Sequence, residues 1–138
     1  MRRLVIAGAA LLLLAGCATL QNKNTLRDDT LDSYAAALRW GDFQGAWNYV
    51  DPAVRAAHPL TPQQKALYNT VRVAEYDAEG IVATDPDTIQ QTAQISLIVK
   101  TSQRVYNVID HQTWHWDAKA KHWWLESGLP DINAGTPE

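Results

Sequence analysis

The chain has 138 residues, enough for one domain with a real core. It carries 12 Lys and Arg against 15 Asp and Glu, a formal net charge of −3, and no basic cluster, which argues against a nucleic-acid partner. Cys17 is the only cysteine, so no disulfide can close within the chain, and six Trp with five Tyr against a single Phe favour sites where a ring needs both an apolar body and a polar handle.

Arg2 and Arg3 precede Leu4–Ala15, an apolar run of about 12 residues, where crossing a bilayer core takes roughly 20. The run therefore reads as the core of a signal peptide, and no other stretch of the sequence is long and apolar enough to span. Leu14-Ala15-Gly16-Cys17 at its end resembles the lipobox of bacterial lipoproteins. That resemblance implies cleavage before Cys17 and two or three acyl chains on it, and two chains suffice for stable anchoring. Ala18, where an inner-membrane lipoprotein of a Gram-negative cell tends to carry Asp, implies the outer membrane and a domain on its periplasmic side. The expected organisation is a signal peptide over 1–16, lipidated Cys17 and a tether over 17–26, a domain over 27–129 and a loose tail over 130–138. Residues 18–26 fully extended would reach about 30 Å, so the domain is expected close to the membrane.

Asp28 to Trp40 reads as a helix, with Leu31, Tyr34, Ala35 and Leu38 on one stripe and Gly41 as its stop. Asp42 can cap a second helix that places Phe43, Ala46, Trp47 and Val50 on one face and ends at Asp51-Pro52. Residues 53–61 are expected as a turn or loop, and Thr61-Pro62 opens a short helix to about Asn69. The period then changes to two. Thr70–Ala83 is β-rich with a bend at Gly80, Asp85-Pro86-Asp87 is a turn, and Thr88–Thr101 alternates cleanly. Val105–Trp116 and His122–Glu126 complete an antiparallel meander, joined at Ser102-Gln103 and at Asp117–Lys121.

Helices followed by a meander predict an α+β fold, with N-terminal helices packed on a curved, mainly antiparallel four-stranded sheet. The order also resembles the nuclear transport factor two-like superfamily, whose fold is a cone of curved sheet closed by helices. The resemblance covers roughly Thr25 to Leu129. It rests on the long first helix, Gly41-Asp42-Phe43, Asp51-Pro52 and a final hairpin with Trp on both arms. Many unrelated functions share that cone, so the fold assigns no chemistry.

A two- or four-residue link at Ser102-Gln103 would set Val99 opposite Tyr106, Leu97 opposite Val108 and Ile95 opposite Asp110. Tyr106, Val108, Asp110, Gln112, Trp114 and Trp116 would then face inward, and His111, Thr113 and His115 outward. A three-residue link would reverse every face. In the first register Tyr34, Trp47, Tyr106, Asp110, Gln112 and Trp114 are the candidate cavity residues. A carboxyl at 110 would be pushed up by desolvation and could serve as a general base or bind a ligand. Within the resembled superfamily, ketosteroid isomerases use an acidic base and a tyrosine in such a cavity. By location, Asp110 with Tyr34 or Tyr106 is the nearest equivalent, and the alternative is an ion-paired or rim carboxylate.

His111 and His115 would lie about 13 Å apart on a strand, too far for one metal ion, and with His122 they make no metal motif. Neither a phosphate loop nor a nucleophile elbow is present, and no cofactor is expected. Trp123 and Trp124 must point to opposite faces, leaving one for a partner, for the headgroup region of a membrane or for the tail to cover. The sequence thus reads as a lipid-anchored, non-enzymatic envelope lipoprotein binding a small apolar ligand or a partner protein. An isomerase- or dehydratase-like enzyme using Asp110 and a structural accessory subunit of an envelope assembly are the alternatives, and a homodimer is left open.

Overall fold

A computed structural model describes residues 22–137. Cys17 and the signal segment lie outside the described residues. Helix α1 is described over 22–39, followed by α2 (Phe43–Trp47), α3 (Pro52–Ala57) and α4 (Pro62–Tyr68). Tyr34, Ala35 and Leu38 of the apolar stripe of α1 are buried, and Leu31 packs beside them. The helix ends in a Schellman motif: Gly41 takes a φ of +73°, its N–H donates to Leu38 O and that of Asp42 to Ala37 O. Asp42 then accepts from Gly45 N and caps α2. Residues expected as turn or loop instead form α3, because Asp51 accepts from the N–H groups of Ala53 and Val54 and Pro52 opens the turn. Thr61 and Gln64 form a reciprocal capping box at the start of α4.

Two long strands, β3 (Thr88–Val99) and β4 (Val105–Asp117), form the central ribbon of a curled antiparallel sheet. The free edge of β3 carries β1 (Val71–Ala78) and β2 (Val82–Asp85) in tandem. That of β4 carries β5 (His122–Leu125) and the two-residue β6 (Thr136–Pro137). The main path is β1-β3-β4-β5, curled into a half-barrel against which the helices pack: an α+β, cone-like fold. A parallel bridge from Val50 to Leu125 continues the sheet past β5.

The β3–β4 register differs from the expected one by two residues. Leu97 lies opposite Tyr106, Ile95 opposite Val108 and Ala93 opposite Asp110. The link spans four residues, Lys100–Gln103, with Val99 N–H donating to Arg104 O and Gln103 in the left-handed region at φ +58°. The turn is centred one residue earlier than Ser102-Gln103 suggests. A shift of two leaves every side chain on its expected face, so Val108, Asp110, Gln112 and Trp114 are buried and His111 is exposed.

Residues 22–26, expected in the tether, are helical, and Leu26 packs on the core. The segment expected as a loose tail is docked through buried Pro130 and Ile132, whose carbonyls accept from the hydroxyls of Tyr68 and Tyr106. The sequence signal for looseness was Gly and Pro content, which does not register two apolar anchors and two tyrosine donors.

Candidate functional site

Inside the cone, β4 turns Asp110, Gln112 and Trp114 toward α1 and β1. Gln112 is the hub. Its Nε2 donates to Asp110 Oδ2 and to Tyr76 OH, both at 2.8 Å, and its Oε1 accepts from Trp114 Nε1 at 3.1 Å. The Tyr34 ring stands edge-on to Trp114 with centroids 5.2 Å apart. Tyr34 is wholly buried, and its hydroxyl finds no hydrogen-bond partner among the described residues. Arg39, near the end of α1, closes the cluster by donating to Tyr76 O and lying over the Tyr76 ring.

Electrostatics follow burial. Asp110 is 7 % exposed, and desolvation pushes its carboxyl up to about 6, against the lowering effects of the Gln112 hydrogen bond and the His111 charge. Burial pushes Tyr76 up to about 12, again opposed by Gln112. The Tyr34 phenol is raised by burial first and by the Asp110 charge second. Tyr68 on α4 is raised to about 12 by burial and by the charges of Asp131 and Asp110. Chemically, the cluster is a carboxyl that changes protonation near pH 6, set among phenols that stay neutral. It can hold or move one proton.

Of the six candidate cavity residues, Tyr34, Asp110, Gln112 and Trp114 converge. Trp47 packs against the core from α2, and Tyr106 points at the tail through Ile132, so neither joins the polar cluster. Sequence reasoning missed Tyr76. Val71 and Val73 set an odd-numbered inward face, but a bulge between Val73 and Glu75 reverses the parity and brings Tyr76 inside. Nothing in the local sequence marks Ala74 as the bulge.

The histidines scatter. His111 Nδ1 lies 3.3 Å from Thr92 Oγ1 on the outer face. His115 sits between Asp51 and Glu126, at 3.3 and 2.9 Å from their oxygens, between the N-cap of α3 and the residue that follows β5. His122 lies against Trp124 at 4.0 Å between ring centroids, and burial lowers its pKa. Among the described residues no group of His, Cys, Asp and Glu is placed to hold a metal ion. Trp123 is buried and Trp124 half-buried, so the exposed tryptophan is a different one: Trp40, at the end of α1, is 88 % exposed. Beside it, Gly41, Asp42, Phe43, Lys65 and Tyr68 line an open groove of about 250 Å³.

No protein-family model matches the chain, and no curated protein matches it. Among the described residues no helix is long and apolar enough to cross a membrane.

Proposed function

We propose that this chain is a non-enzymatic lipoprotein of the outer membrane, anchored through Cys17, whose periplasmic domain holds a partner protein of the envelope. The observation that carries this reading is the contrast between interior and surface. The polar atoms of Gln112 are spent on Asp110, Tyr76 and Trp114, and Tyr34, Gln112 and Trp114 are sealed from solvent. A small ligand would have to displace these contacts. Trp40, by contrast, stands out at the helix end, and leaving such a side chain unburied forgoes roughly 1.5–3 kcal/mol of hydrophobic stabilisation. A partner that covers it would recover that term, as tryptophan does at the centre of many interfaces.

The test has two arms. Acyl labelling of wild type and Cys17→Ala in cells should mark only the wild type, and an unlabelled wild type removes the anchor. A photo-crosslinking residue at position 40 of the anchored protein should give a discrete protein adduct, and the same residue at Val82, also exposed, should not. No adduct at 40 speaks against a partner there.

A second reading, acid–base chemistry by Asp110, has its own support in the raised carboxyl and the unpartnered Tyr34 hydroxyl beside it. It requires the sealed cluster to open to a substrate.

A further inference from the structure

The start of α1 is fastened to one corner of the sheet. Lys23 Nζ donates to Pro86 O at 2.6 Å and pairs with Asp87 in the β2–β3 turn. The same ammonium lies over the rings of Trp116 and Trp123, 5.7 and 5.5 Å from their centroids, and Lys23 O accepts from Trp123 Nε1. Trp116 N–H in turn donates to Asp87 O. The start of α1, the β2–β3 turn and the β4–β5 turn (residues 117–121) are thus gathered at one corner.

Only residues 18–21 separate Cys17 from the described helix, and the chain from Cys17 to Asn22 cannot exceed about 18 Å. Measured along β4, the opposite hairpin at Lys100–Gln103 lies about 40 Å from the β4–β5 turn. Helix α1 itself runs about 27 Å from its first described residue to the Trp40 end. We propose that the Lys23 corner, with the β4–β5 turn at its tip, is the face the domain rests on the bilayer, and that Trp40 and its groove point away from the membrane. This rests on the lipid-anchor reading of Cys17. At the tip Lys119 and Lys121 can meet phosphate headgroups, and Lys23 offsets the charge of Asp87, while Asp85 and Asp117 stay anionic. Asp117 is occupied in accepting from the N–H groups of Lys119 and Ala120, while Lys119 and Lys121 are exposed and have no side-chain partner among the described residues. Charge alone does not choose this end, because Lys100 and Arg104 flank the other hairpin. The tether does.

The experiment uses the natively acylated chain, in which the lipid occupies the Cys17 sulfur and leaves an introduced thiol as the single labelling site. Ala118→Cys and Thr101→Cys are each labelled with an environment-sensitive fluorophore. They are reconstituted into vesicles of phosphatidylethanolamine and phosphatidylglycerol containing a lipid with a nitroxide on its headgroup. Fluorescence at 118 should fall severalfold relative to nitroxide-free vesicles, while that at 101 should barely change. Equal quenching at both positions, or stronger quenching at 101, in protein that floats with the vesicles overturns the orientation and leaves the anchor standing. Protein that fails to float removes the anchor, and the orientation with it.

Discussion

Replacing Asp110 by Asn should stabilise the protein at neutral pH. The folded state holds this carboxyl at about 6 against an ordinary value of 3.8, chiefly because burial penalises its charged form. A carboxyl raised in the folded state binds more protons there than in the unfolded chain between the two values, so stability falls as pH rises through that window. Below 3.8 both states are protonated and nothing is lost. Above about 6 the folded protein carries a buried carboxylate whose cost, at about 1.4 kcal/mol per pKa unit, is roughly 3 kcal/mol. Asn removes the charge and keeps an oxygen to accept from Gln112 Nε2.

The assay is denaturant unfolding, read by tryptophan fluorescence, of wild type and Asp110→Asn at pH values from about 4 to about 8. The variant should gain about 2–3 kcal/mol over wild type at the alkaline end, and the gap should close toward the acid end. The difference between the two proteins is the informative quantity, because His122 works against Asp110 in the same window. Burial lowers its pKa, so the unfolded state takes its proton first and stability drops as pH falls through the histidine range. That contribution is common to both proteins and cancels. Asp85 and Asp117, whose carboxyls backbone hydrogen bonds hold below the usual range, act only at lower pH. Parallel wild-type and variant profiles across the range, or a variant less stable at the alkaline end, would refute the desolvation argument.

Gln112→Leu removes the hub, stranding the Asp110 carboxyl and the Trp114 N–H, and should cost about 2–4 kcal/mol in the same unfolding assay at neutral pH. Gly41→Ala meets no atom within 4 Å, so its cost is backbone strain alone, about 1 kcal/mol from the φ of +73°, measurable as a lower denaturant midpoint with an unchanged slope. Trp40→Ala should leave the stability within about 0.5 kcal/mol of wild type, since the side chain is almost free of contacts, while abolishing any partner function. Lys23→Ala should speed amide exchange through the first turns of α1 and leave the core strands protected, because the clamp holds the helix start and not the ribbon.

Periodicity alone made the fold class and the inward face of β4 legible. A strand with Tyr106, Val108, Trp114 and Trp116 on one parity has only one face to bury, and an even-numbered link keeps that parity whatever its exact centre. Capping chemistry was equally readable at Asp42 and Thr61, where a short oxygen-bearing side chain precedes the helix, whereas Asp51-Pro52 reads only as the end of α2 although the same chemistry opens α3. Long-range events were not readable. The bulge that admits Tyr76, the docking of Pro130 and Ile132, and the Lys23 clamp each depend on partners far away in sequence, 36, 62 and 64 residues in their hydrogen bonds. The exposure of Trp40 escaped for a related reason: it follows the stripe of α1 by only two residues, and the Schellman turn decides that it swings outward.

Asp110 is where stability and function separate. Gln112 needs an acceptor at that position, and a neutral amide would supply one without the cost of a buried charge. The domain has no disulfide to offset that cost, and a penalty of roughly 3 kcal/mol is a large share of the 5–15 kcal/mol typical of a folded domain. The two functional readings therefore diverge on one variant. If the cluster only organises packing behind a partner surface, Asp110→Asn gains stability above neutral pH and still crosslinks through position 40. If the carboxyl handles a proton for a substrate, the same variant gains stability and loses its biological activity, the pattern expected where an active group is kept at the expense of the fold.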